Sequence, residues 1–319
     1  FGPVAYLWIV LGCIFAGATH DYLSGMLSMR NDGASLPELI GKYLGRNAKM
    51  VMLAFTVLLL IMVGTVFVYS PAEILHSIWG SSLFWIIVIF AYYVIATMLP
   101  IDKIIGKIYP LFAFSLLFMA GALMVMLFVK MPQLPELWTH FYNMGAEAEP
   151  DKWTDQIFPC LFITIACGAI SGFHATQSPL MARCVKSEHM GRPIFYGAMI
   201  TEGVVALIWA TVSSWFFYGS PAPGYELIAA VNTGFSTSAP AVVNIVCNDW
   251  LGVAGGILAL LGVVAAPITS GDTAFRSARL IIGEWLHIDQ RPIIKRLAIC
   301  LPLFISSIAM LVWQIENPD

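Results

Sequence analysis

The chain has 319 residues, of which 59% are hydrophobic and 11% charged, with a net charge of −3 and a mean hydropathy of +0.82. Soluble domains carry about 25% charged residues, so most of this surface cannot face water and the fold class is an all-α integral membrane protein. The six Cys lie mostly in apolar runs with no CxxC and no zinc spacing, which reads as small packing residues rather than ligands.

A bilayer core needs about 20 mostly apolar residues per helix. Eight segments meet that requirement, at roughly 3–20, 49–70, 82–100, 108–130, 157–175, 194–218, 250–269 and 295–314. The first loop holds Arg30, Lys42, Arg46 and Lys49, and the third holds Lys103 and Lys107. Arg183, Lys186 and Arg192 follow the fifth span, and Arg276, Arg279, Arg291, Lys295 and Arg296 follow the seventh. Basic residues thus concentrate in alternate loops, leaving only Lys130 and Lys152 elsewhere. That asymmetry predicts eight spans with both chain ends on the non-cytoplasmic side. Two further segments are expected at the membrane boundary: 237–249, re-entrant or interfacial, and an amphipathic interfacial helix at 272–287. The whole of 1–319 reads as one transmembrane domain. The chain opens at Phe1 within an apolar run and ends at Asp319 just after a span, so a piece of a longer protein is expected.

Ionisable groups inside spans are costly and so mark functional candidates. They are His20 and Asp21 at the end of the first span, His174, Glu202 and Asp272. The fifth span is the most polar, gathering Thr164, Gly168, Ser171, Gly172, His174, Thr176, Gln177 and Ser178 before Pro179. Two readings are open. Gly168 and Gly172 form a GxxxG, which serves close helix packing. Alternatively the helix is discontinuous, and its freed backbone groups hold a substrate or ion near mid-membrane. His174 is either a packing residue or a proton acceptor near neutral pH. Glu202 suits proton carriage or a pairing with a basic group. Thr269, Ser270 and Asp272 suit a hard cation, while Asp272 equally suits a helix N-cap.

An intramembrane hydrolase using Ser171 and His174 would need a nucleophile elbow, but Ala169 and Phe173 stand where the glycines belong. There is no HExxH, no phosphate-binding GxxxxGK[ST] and no basic run of the kind that binds nucleic acid. No cofactor is expected beyond a coupling proton or sodium ion, and the sequence leaves the oligomeric state open.

Four strings resemble the carbon-starvation (CstA) family of bacterial transporters. They are Leu7-Trp-Ile-Val-Leu-Gly…Phe15-Ala-Gly17…His20-Asp21, Arg30-Asn-Asp-Gly33-Ala-Ser-Leu-Pro-Glu38, Phe162-Ile-Thr-Ile-Ala-Cys-Gly-Ala-Ile-Ser-Gly-Phe-His-Ala175 and Asp272-Thr-Ala-Phe-Arg276-Ser-Ala-Arg279. They cover about residues 5–285. The resemblance implies uptake of small carbon sources, peptides or pyruvate, across the bacterial cytoplasmic membrane. It also implies kinship with inverted-repeat amino-acid transporters, with further helices beyond this chain. The resemblance supplies no binding residues; from the residues themselves, Thr164, Gly168, Ser171, Gly172, His174 and Gln177 are expected to line a substrate, while His174, Glu202, Asp21, Thr269, Ser270 and Asp272 are coupling candidates. A membrane-embedded nutrient sensor is the alternative.

Overall fold

In the computed structural model the described residues are 1–98, 101–144, 157–168, 173–219 and 239–316, and their regular elements are helices. In chain order these are α1 (Val4–Met29), α2 (Leu36–Leu44), α3 (Arg46–Ile78), α4 (Ser82–Met98), α5 (Ile101–Lys130), α6 (Phe162–Gly168), α7 (His174–Met181), α8 (Gly197–Tyr218), α9 (Ala239–Trp285) and α10 (Ile293–Glu316).

Among the described residues, each predicted span overlaps a helix. Six stretches among the described residues are long and apolar enough to cross a membrane: Val4–Met29, Arg46–His76, Pro110–Lys130, Glu188–Tyr218, Gly255–Trp285 and Ile293–Glu316. The predicted spans at 82–100 and 157–175 correspond to the shorter apolar helices Ser82–Thr97 and Ile157–Ala166. Large apolar side chains such as Phe55, Leu83, Phe114 and Phe128 stand exposed along these helices. That is the expected surface where lipid is the solvent.

The helices group into two compact units, a division the hydropathy pattern gives no sign of. The first comprises Phe1–Ala34 and Ala120–Ser238; the second comprises Ser35–Met119 and Ala239–Asp319.

In the first unit, Val4, Ile9, Cys13, Ala18, Leu161, Ile165 and Met199 form a buried core, with Trp8 set edge-on to Phe162 at 4.6 Å. Its helices are repeatedly broken. Wider π-helical turns occupy Gly12–Gly17 within α1, Ile157–Leu161 before α6 and Arg192–Tyr196 before α8. Such turns are rare and gather at functional sites.

The second unit is built on long helices around an aromatic cluster of Phe90, Tyr93, Phe275 and Phe304, whose ring centroids lie 5.2–6.3 Å apart. Gly262 of α9 lies so close to α5 that an added Cβ would meet the Leu116 backbone at 3.0 Å. The Thr65 and Ser307 hydroxyls bond at 2.7 Å, joining α3 to α10.

Two expectations change here. The amphipathic stretch 272–287 is not a separate interfacial helix: α9 runs unbroken through Thr269, Ser270 and Asp272 to Trp285. The polar residues there do not interrupt it, because Thr269, Thr273 and Ser277 donate their hydroxyls back to carbonyls three or four residues earlier. Ala274, Ala278, Ile281 and Arg279 are buried, so this stretch packs inside the unit. The described part of 237–249 opens α9 as a short apolar helix, Val242–Val253, which bends at Gly252, where φ is 66°. Glycine adopts that conformation without strain.

Candidate functional site

The site lies in the first unit and is assembled by α1, α7 and α8. The sequence places Asp21 near the end of a span, but α1 continues to Met29. Asp21 therefore sits about 12 Å inside the helix end, at 1.5 Å per residue, and is 3% exposed. It follows the π-helical turn Gly12–Gly17 by one helical turn. Glu202 likewise follows the turn Arg192–Tyr196, in the first part of α8. Gly203, beside it, lets α8 approach α1: a Cβ there would meet Cys13 Sγ at 2.8 Å. His174 is the first residue of α7.

The three groups converge. His174 Nδ1 lies 2.9 Å from Asp21 Oδ2, and His174 Nε2 lies 3.2 Å from Glu202 Oε2. His20 Nδ1 lies 3.2 Å from the other Asp21 oxygen, Oδ1. The result is a row of His20, Asp21, His174 and Glu202, running from a half-exposed imidazole to a carboxylate about one-third exposed.

Proton count follows from donor chemistry. An ionised carboxylate only accepts hydrogen bonds, and a neutral imidazole carries one N–H. The imidazolium can donate from both ring nitrogens and so serve both carboxylates at once, whereas the neutral ring can donate to only one.

The end of α7 is tied down around this row. Thr176, Gln177 and Ser178 are buried, and the Gln177 amide donates to Thr176 Oγ1 at 3.3 Å. Ser28 Oγ of α1 lies 2.8 Å from both the Pro179 and the Ala34 carbonyls. Arg183 donates from Nε to the Gly33 carbonyl at 2.7 Å. Gly33 has φ 76°, and a Cβ on it would meet Arg183 Cγ at 2.6 Å, so the turn needs glycine on both counts. Arg30 closes the same face with two 3.0 Å bonds to the Glu188 carboxylate.

Of the residues predicted from sequence, His174, Asp21 and Glu202 are brought together, and Gln177 is buried beside His174 in the first turn of α7. Thr164 is exposed and its hydroxyl donates to the Cys160 carbonyl of its own segment. Gly168 is the last described residue of α6, and Ser171 and Gly172 lie outside the described residues. Thr269, Ser270 and Asp272 belong to the second unit, where Asp272 is buried and ion-paired with Arg276 one turn later. Asp272 is thus a mid-helix residue and not an N-cap. No group of three metal-binding side chains occurs among the described residues. Sequence reasoning missed Ser28, Arg183 and Glu188. Ser28 and Arg183 act through backbone carbonyls, which leave no residue-type signal, and the one hint was the Arg30–Gly33 turn.

Comparison with known proteins agrees with this architecture. A family model described as carbon starvation protein CstA matches residues 1–82 and 68–247. An uncharacterized membrane protein of Haemophilus influenzae is 44% identical over 277 residues, covering 72% of this chain and 74% of that protein. A peptide transporter CstA of Helicobacter pylori is 28% identical, covering 63% of this chain and 38% of the transporter. A pyruvate/proton symporter of Escherichia coli is 26% identical, covering 63% of this chain and 36% of the symporter. The chain therefore spans less than two-fifths of each of these two transporters. No solved structure matches. The chain belongs to the carbon starvation protein CstA family and is a multi-pass helical protein of the bacterial inner membrane.

Proposed function

We propose that this chain forms part of a secondary active transporter that imports a small carbon compound, a peptide or pyruvate, with protons. The observation that carries the reading is the placement of His174 between two carboxylates, Asp21 and Glu202, in a unit made of apolar helices. A charged row in such surroundings is expensive and is kept where ions move. With His174 as the imidazolium the two carboxylates leave one net negative charge, and one more proton on Glu202 brings the row to neutrality. Loading that proton favours movement of the row through an apolar environment; releasing it restores the charge. His20, half-exposed, gives protons an entry to Asp21. The names of the relatives, peptide transporter and pyruvate/proton symporter, support the same reading and supply its two substrates. The interrupted helix before α6, where Phe158 departs from helical geometry, suits a substrate held by freed backbone groups. Kinship with inverted-repeat transporters is part of the proposal.

The test is uptake of labelled pyruvate and of a labelled dipeptide into membrane vesicles from cells expressing the protein. An inward proton gradient is expected to drive accumulation of one of them, and a sodium gradient is not. Absence of gradient-dependent uptake of both substrates would sink the proposal.

A further inference from the structure

A second, chemically different site lies in the second unit. A cavity of about 510 Å³ opens where α3 begins, lined by Glu38, Lys42, Arg46, Lys49, Trp285 and His287. Glu38 is ion-paired with Lys49. Three cations against one carboxylate leave the cavity two formal positive charges with His287 neutral. The N-terminus of the 33-residue α3 adds to this. Gly45, with φ 91°, precedes Arg46, and no side chain caps the helix. Uncapped amides and the aligned helix dipole favour an anion at that position. Gly41 on α2 also lines the cavity, and a Cβ there would meet Lys49 Cδ at 2.8 Å. Its lack of a side chain lets the Lys49 stem cross α2 and bring the ammonium to the cavity.

The surroundings say which anion fits. Beginning beside the cavity, Val51, Phe55, Leu58, Met62, Val66 and Tyr69 of α3 are all exposed. Their spacing of three and four residues places them on one helix face. An exposed apolar stripe thus leads away from a cationic cavity, with the half-exposed Trp285 at its edge. Indole rings favour such boundaries between apolar and polar surroundings. Because the stripe faces lipid, an amphiphile seated there sets its headgroup at the cavity and its chains along the stripe, and its charge complements the cavity.

We infer that this cavity binds the phosphate of an anionic phospholipid headgroup, with the acyl chains lying along the exposed stripe of α3. Basic pockets on the positive side of membrane proteins take such headgroups. The site is separate from the His174 row and does not depend on the transport reading.

The experiment is native mass spectrometry of the purified, delipidated protein titrated with phosphatidylglycerol, with phosphatidylcholine and with inorganic phosphate. Phosphatidylglycerol is expected to be retained roughly tenfold or more over phosphatidylcholine, since each basic residue near an anionic lipid contributes a factor of about five. The double variant Lys42→Gln/Arg46→Gln is expected to erase that preference, Arg46→Lys to keep it, and Lys295→Gln, outside the cavity, to leave it unchanged. Phe55→Ser/Leu58→Ser is expected to weaken lipid retention while the charge preference persists. Equal retention of the two lipids, or an unchanged preference in the double variant of a folded protein, would overturn the inference. Full displacement of the lipid by millimolar inorganic phosphate would overturn it too, because the ligand would then be the free anion.

Discussion

The two units handle buried charge in opposite ways. In the second, Asp272 meets Arg276 one turn along the same helix, and the hydroxyls of Thr269, Thr273 and Ser277 bond back to their own backbone. Its long helices pack on an aromatic cluster. In the first, Asp21 and Glu202 meet across helices at His174, an imidazole that can both take up and release a proton. Three π-helical turns interrupt the elements that carry or flank this row. An arginine beside a carboxylate on its own helix keeps its proton and offers it no exchange partner. A carboxylate closed by an imidazole on another element can exchange one.

That contrast can be broken at four points. The largest effect is expected for Asp21→Ala, which leaves His174 and His20 without their shared carboxylate. Removing one member of a buried pair costs about 3–5 kcal/mol, so thermal unfolding in detergent should shift strongly downward and proton-driven uptake should disappear. Phe275→Ala, at the centre of the second unit's aromatic cluster and 2% exposed, is expected to cost a comparable amount, about 3–5 kcal/mol. Uptake per folded molecule should nevertheless keep its dependence on the proton gradient. Loss of that dependence in Phe275→Ala would erase the distinction between the units. Gly33→Ala forces an unfavourable φ, worth of order 1–3 kcal/mol, and pushes on Arg183. It should loosen the end of α7, seen as faster hydrogen exchange over 174–184. The smallest effect is expected for Thr65→Val, which removes the hydroxyl pair with Ser307. Such intramembrane bonds average about 0.6 kcal/mol, so unfolding should move only slightly and uptake not at all.

How much of this was legible in the sequence differs between the units as well. Apolar runs and the basic residues between them marked where helices lie, because hydrocarbon permits few other structures. His174, Asp21 and Glu202 each stood out singly, as costly groups inside spans. Their meeting did not, because Asp21 and His174 are 153 residues apart and nothing in residue spacing reports such a contact. The extension of α1 past Asp21 was also hidden: Ser24, Gly25 and Ser28 read as the end of an apolar span, yet they are buried against neighbouring segments. In α9 the opposite happened. The polar run Thr269–Thr273 reads as a helix boundary, while local hydroxyl back-bonding and the Asp272–Arg276 pair, spaced by four, let the helix continue. The basic cavity was visible only as scattered loop charges until α2 and the start of α3 brought Lys42, Arg46 and Lys49 around one space.

The most direct test is simultaneous measurement of proton and substrate movement in proteoliposomes holding the wild-type protein or His174→Gln. Addition of the transported substrate is expected to draw protons inward with the wild type. The variant should remain folded and substrate-responsive but move no protons with the substrate. An unchanged proton flux in His174→Gln, with an unchanged pH profile of uptake, would contradict the assignment of proton coupling to the Asp21–His174–Glu202 row.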